Sequence, residues 1–192
     1  MTTDLRHETG TTAPSTDGLI LHELQTEHGV LRCHETGDGP PLLFLHGSGP
    51  GVTGLRNFAG ILPAFARHFR CLVLEFPGFG VSDPTDLHPM QAGIQAVGDL
   101  MNGLGLDSVD IIGNSMGGFI GTRYAIAEPE RVRRLVTMGG MGVNLFSSSP
   151  AEGINLLMAF TEDPTKERLV QWLQSMVYDQ SLVTEEMIEQ RW

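Results

Sequence analysis

Ser115 stands in Gly113-Asn114-Ser115-Met116-Gly117-Gly118, directly after Ser108-Val109-Asp110-Ile111-Ile112, a run rich in β-branched residues. A serine spaced this way between glycines suits a sharp strand-to-helix turn that holds its hydroxyl out as a nucleophile. Gly113 and Gly117 remove side chains that would collide with neighbouring backbone, and Gly118 adds further room. The start of the following helix directs free amides and a positive dipole end toward the hydroxyl, which favours an anion forming there. The matching chemistry is attack on a carbonyl, in which the former carbonyl oxygen becomes a transient oxyanion.

A second segment fits the same chemistry. Pro41-Leu42-Leu43-Phe44-Leu45 is an apolar run suited to a strand buried on both faces, and His46-Gly47-Ser48-Gly49-Pro50-Gly51 follows it at once. Such a loop can turn its amides inward. An oxyanion hole takes one donor from the residue after the nucleophile and one from a loop of this kind, so Met116 and Ser48 are the expected donors, with Gly49 as the alternate. The plainer alternative is a glycine- and proline-rich loop without chemical importance.

A serine hydroxyl needs an imidazole to take its proton and a carboxylate to orient that imidazole. All seven histidines (His7, His22, His28, His34, His46, His68, His88) precede Ser115, and none follows it. The strand expected to end near Met138 runs into Gly139-Gly140-Met141-Gly142 without an acid. His46 is expected to shape its loop instead of acting as a base, and Asp163 and Asp179 to cap or solvate helices. The nucleophile thus lacks an evident activator.

The elements that must position these residues read as an alternating series. Two strands at 19–26 and 30–36 form a hairpin ended by Gly37-Asp38-Gly39-Pro40. The strand 41–45, a helix at 58–68, a strand at 70–76, the loop Pro77-Gly78-Phe79-Gly80-Val81-Ser82-Asp83-Pro84 and a helix at 89–104 come next. The serine strand, a helix at 118–127 and a strand at 133–138 complete a β-α-β series, which implies a mostly parallel sheet with helices on both faces. From about Ser147 the pattern turns helical, with Ile154, Leu157, Met158, Leu169, Leu173, Met176 and Val177 at helical spacing, as in a lid. Residues 1–18 read as a polar, disordered leader, 19–146 as the core and 147–192 as an incomplete helical lid segment.

Composition sets outer limits. The chain has 192 residues, 41% hydrophobic and 18% charged, enough for one sizeable core. Its formal net charge of −11 argues against a nucleic-acid partner and would slow an anionic substrate unless a local cation compensates. No apolar run reaches membrane-spanning length, and the leader lacks the apolar centre of a secretory signal. Cys33 and Cys71 read as buried thiols, which fits a reducing, cytoplasmic setting.

Taken together, the Gly-x-Ser-x-Gly elbow, the 46–51 loop with Asn57 six residues on, and Tyr178-Asp179-Gln180-Ser181-Leu182-Val183-Thr184-Glu185-Glu186 leading into Arg191-Trp192 resemble the meta-cleavage-product hydrolases. These are carbon-carbon bond hydrolases of aromatic-ring degradation within the α/β hydrolase superfamily. The resemblance runs from about residue 19 to the end. It implies an α/β hydrolase fold, a 2-hydroxy-6-oxohexa-2,4-dienoate substrate, Asn57, Asn114 and Arg191 at the polar end of the pocket with Arg191 on the substrate carboxylate, and oxyanion amides at Ser48 and Met116. No metal or organic cofactor is implied, and a homo-oligomer is compatible with a full-length parent. The family order of Ser, Asp, His implies that these residues are an amino-terminal portion of a longer enzyme, lacking the triad Asp and His and the final strands, and inactive alone. Asn57 and Asn114 could instead satisfy loop backbone, and Arg191 could be a solvated charge near a helix end. Glu75 departs from the Asp that such hydrolases commonly carry before Pro-Gly-Phe-Gly, a change read as structural. An esterase-like serine hydrolase of the same fold and a non-catalytic binding protein are the alternatives.

Overall fold

The computed structural model describes residues 18–139 and 152–192. Most of the expected leader and the stretch 140–151, where the expected lid segment begins, lie outside the described residues. Strands β1 (Ile20–Thr26) and β2 (Gly29–Thr36) form the expected hairpin, and Gly29, at φ +117, supplies a backbone turn that L side chains rarely adopt. Strand β3 (Pro41–Leu45) is followed by two short helices, α1 (Gly54–Phe58) and α2 (Leu62–Phe65), and then by β4 (Arg70–Glu75). The single helix expected at 58–68 is therefore a mistake. Thr53 starts α1 earlier by accepting the Arg56 amide, and a turn at 59–61 separates the two pieces before Pro63 occupies the first turn of α2.

Helix α3 (Pro89–Gly103) leads to β5 (Val109–Asn114), and helix α4 (Met116–Ala127) leads to β6 (Val132–Met138). His88 caps α3 by accepting the Met90 amide, and Pro89 occupies its first turn. Its buried face, Ala92, Gly93, Ala96, Val97, Leu100 and Met101, repeats at helical spacing. The sheet order is β1-β2-β4-β3-β5-β6; β3 to β6 run parallel, and β2 lies antiparallel to both its neighbours.

The period of two along the strands sorts side chains into two cores. Leu43, Leu45, Leu72, Leu74, Val109 and Ile111 pack with Ala96, Val97, Leu100 and Ile120 of α3 and α4 on one face. On the other, Leu42, Phe44, Cys71, Val73 and Ile112 pack with Leu55, Phe58 and Leu62 of α1 and α2. Burying each such Leu or Phe stabilises the fold by about 2 kcal/mol, so the two faces together hold the sheet between helical layers.

Three helices, α5 (Glu152–Glu162), α6 (Lys166–Ser175) and α7 (Glu185–Arg191), form a separate cluster around Leu169, Trp172, Leu173 and Ile188. Asp179 caps as expected, whereas Asp163 forms an ion pair. Asp179 accepts the Ser181 amide at the start of a short 3-10 turn, and Asp163 pairs with Arg168 at 3.1 Å.

Chain order fixes where a site can form. After β3 the chain moves to one side of the sheet and after β5 to the other, and β3 and β5 are parallel neighbours. Their carboxyl ends therefore form a topological switch point, from which the two following segments diverge to opposite faces.

Candidate active site

Ser115 lies at the end of β5 with φ 50 and ψ −114, the one non-glycine residue with positive φ among those described. This costs about 1–3 kcal/mol unless the surroundings hold it. They do: Ser115 N–H donates to Met138 O at 2.8 Å, and Ser115 O accepts the Phe119 amide at 3.1 Å. The residue itself is exposed. The neighbouring glycines are sterically required, since a Cβ at Gly113 would lie 2.5 Å from Gly117 O and one at Gly117 would lie 2.1 Å from Leu45 O. Helix α4 begins at Met116, two residues earlier than its sequence pattern suggested, so the Met116 amide belongs to the unsatisfied first turn.

The loop after β3 comes up against this turn. A Cβ at Gly47 would be 3.3 Å from Ser115 Cβ, so the loop backbone lies beside the serine. Asn57 Oδ1 accepts both the Gly47 amide and the Asn114 side-chain amide, each at 3.0 Å. Asn57 thus holds the loop backbone at Gly47, and Asn114 is tied to it through its side chain. Ser48 is exposed next to Gly47.

His46 is wholly buried between Phe76 and Phe79, with ring centroids at 4.7 and 5.0 Å. Its Nε2 accepts the Phe76 amide at 3.1 Å, which fixes the neutral tautomer with Nδ1–H donating to Gly47 O at 2.7 Å. Burial pushes its pKa down to about 4, partly opposed by that carbonyl. It shapes the loop and presents no free nitrogen to Ser115. Among the described residues, no side chain hydrogen-bonds the Ser115 hydroxyl, and no cluster of three or more His, Cys, Asp or Glu suited to a metal exists.

The helical cluster reaches the same loop by contacts that local sequence patterns did not reveal. A Cβ at Gly49 would strike Trp172 Cη2 at 2.7 Å, and one at Gly51 would meet Gln190 O at 2.9 Å and Arg191 Cα at 3.1 Å. Arg191 donates to Pro50 O at 3.2 Å, while Arg56 donates to Gly51 O at 3.0 Å and Gln190 O at 3.3 Å. Both guanidiniums thus use backbone carbonyls. Burial lowers the Arg191 pKa, and the neighbouring positive charge of Arg56 adds to the effect. Trp172 and Arg56 were missed because their contacts with Gly49 and Gln190 join residues more than a hundred positions apart.

The chain belongs to the alpha/beta hydrolase fold family, whose profile matches residues 40–191. It is 36% identical over 179 residues to 2-hydroxy-6-oxo-6-phenylhexa-2,4-dienoate hydrolase of Burkholderia cepacia, covering 91% of this chain and 63% of that protein. It is 41% identical over 169 residues to 2-hydroxy-6-oxononadienedioate/2-hydroxy-6-oxononatrienedioate hydrolase of Burkholderia vietnamiensis, covering 84% of this chain and 59% of that protein. A solved 2-hydroxy-6-oxo-6-phenylhexa-2,4-dienoate hydrolase from a Rhodococcus species superposes with TM-score 0.79 at 27% identity, covering 90% of this chain and 64% of that one. The chain therefore spans about three fifths of the length of these relatives.

Proposed function

We propose that this chain carries the nucleophile and the carboxylate anchor of a serine hydrolase that cleaves a carbon-carbon bond in 2-hydroxy-6-oxohexa-2,4-dienoate-type products of aromatic-ring opening. The observation that carries this reading is the meeting at one loop of an exposed, strained Ser115 and an arginine from the far end of the sequence, Arg191. The names of the similar proteins support the substrate class.

In this reading the dienol first ketonises, which makes the departing carbon an enolate leaving group. Ser115, or a water it positions, attacks the C6 ketone; the oxyanion lies against the Met116 amide and that of Ser48 or Gly49; and collapse of the oxyanion breaks the C5–C6 bond, leaving the acid directly where water attacked, or an acyl-Ser115 ester that a water then hydrolyses where the serine did. C5 gained its proton in the ketonisation, so the electron pair released from C5–C6 runs through the diene to the C2 oxygen, which takes the final proton, and the products are a 2-hydroxypentadienoate and a carboxylic acid. Loss of one oxyanion donor costs about 3 kcal/mol of transition-state stabilisation. Arg191 meets the dienoate carboxylate through its planar fork, and Asn57 and Asn114 hold the polar end in shape. The proton acceptor and its orienting acid are assigned to residues outside these 192, because every histidine precedes Ser115 and His46 is already engaged on both nitrogens. The two buried thiols fit a reducing cytoplasm.

A fluorophosphonate probe and a substrate pair test this. The 192-residue chain should label negligibly, whereas a longer form containing a downstream Asp and His should label at Ser115 and consume 2-hydroxy-6-oxo-6-phenylhexa-2,4-dienoate. In that longer form Arg191→Ala should raise KM for the dienoate at least tenfold, the loss of a charge-assisted bond of about 1.5–3 kcal/mol. Turnover of a simple ester with none of the dienoate, or indifference to Arg191→Ala, overturns the assignment.

A further inference from the structure

Glu75 ends β4 and is 1% exposed, yet its carboxylate is not matched to a close cation. One oxygen, Oε2, accepts the Gly54 amide at 2.7 Å, and Oε1 accepts the Leu55 amide at 3.2 Å. The nearest basic group, His34 Nε2, is 3.6 Å away, and burial holds that imidazole toward its neutral form. Space has been cleared around the carboxylate, because a Cβ at Gly80 would fall 2.3 Å from Oε2 and one at Gly54 would fall 3.2 Å from Oε1. A buried carboxylate costs several kcal/mol unless its hydrogen bonds compensate, so a group kept here at that cost should be holding something in place.

What it holds is α1. With five residues this helix cannot sustain itself, and its first turn depends on outside acceptors: Glu75 for Gly54 and Leu55, and Thr53 Oγ1 for Arg56. The same helix carries Asn57, whose single oxygen binds the Gly47 amide and the Asn114 side chain. The path from Glu75 through α1 and Asn57 thus ends one residue from Ser48 and one from Ser115. The next residue along, Phe76, donates to His46 and fixes the loop from its other side.

We infer that Glu75 is a positioning residue, which sets α1 and, through Asn57, the orientation of loop 47–49 beside Ser115. Its catalytic consequence rests on the proposed reading of that loop as an oxyanion donor; the positioning itself does not.

Amide hydrogen exchange by NMR on the 192-residue chain tests the relay. In Glu75→Gln an NH2 faces one of the two amides, so Gly54, Leu55 and Gly47 should exchange about tenfold faster, while the Leu43 and Ile111 amides of the sheet keep their protection. Glu75→Asp, which keeps the charge and serves if the glutamine variant folds poorly, should retain most of the Gly47 protection. Asn57→Ala should open Gly47 alone, leaving Gly54 and Leu55 closed, and adding Glu75→Gln to it should open Gly47 no further. Gly47 protection unchanged in either single variant, uniform loss across the sheet, or additive opening in the double variant overturns the inference. None of these readouts uses Ser115 chemistry, so a longer form that fails to label with fluorophosphonate would end the hydrolase reading and leave the exchange result standing.

Discussion

At the scale of single residues, the elbow stores strain in the residue proposed to react. Ser115 keeps φ 50 because Met138 O and the Phe119 amide hold its backbone and because Gly113 and Gly117 leave no alternative path for the turn. Ser115→Gly should therefore raise stability by about 1 kcal/mol, the relief of a forbidden backbone angle less the entropy of an added glycine. Ser115→Ala keeps the Cβ and should give no such gain. Urea denaturation of the three proteins checks this, and equal midpoints for the glycine and alanine variants would show that the turn is relaxed.

At the scale of elements, the seam between the 47–52 loop and the helical cluster is made of backbone contact at glycines. Gly51 has φ +62 and lies against Gln190 and Arg191 with no room for a methyl group. Gly51→Ala should thus combine strain and overpacking, loosen α7 by about 2 kcal/mol and expose it to proteolysis before the sheet core. Limited trypsin digestion, with cleavage at Arg191 and Lys166 as the readout, reports it; a digestion pattern like that of the parent chain would mean that the seam yields easily. The same elements show what local sequence could convey. Strands β3 and β5 were legible because runs such as Leu42-Leu43-Phe44-Leu45 need burial on both faces, and the elbow was legible because its glycines answer to contacts within a few residues. The split of α1 from α2 was not, since α1 is held by Glu75, twenty positions away, instead of by its own periodicity. Likewise, Asn57 was legible as a polar residue near the loop, but its division between Gly47 and Asn114 depends on β5 lying beside β3.

At the scale of the whole molecule, buried titratable groups set opposing responses to pH. The native pKa of His46 is about 4 against an ordinary 6.5, so between those values the unfolded chain binds a proton that the folded one refuses. Its contribution is complete above pH 6.5 and disappears as pH falls toward 4, a loss of about 3 kcal/mol. His34, also shifted down by burial, acts in the same direction. Glu75 acts in the opposite one, because burial raises its pKa; its contribution is present at low pH and lost as pH rises through the folded value. With two histidines against one carboxylate, the urea midpoint should drop between pH 6.5 and 4.5, and the His46 ring protons should show no titration above about pH 5. A His46 titration near 6.5 would mean that the ring is wet. The acidic chain as a whole, at −11, also has its local compensation: Arg56 and Arg191 meet at the loop where an anionic substrate is proposed to arrive.

One loop, then, borders three neighbours: Gly47 lies beside Ser115, Gly49 against the indole of Trp172, and Gly51 against the last helix, with no room for a side chain at Gly49 or Gly51. Domain-shuffling experiments inherit that constraint. A graft that imports foreign helices in place of α5–α7 will seat only if the donor's own version of the six-residue strip travels with it, so the natural cutting point for such chimaeras lies before His46 and not between β6 and α5.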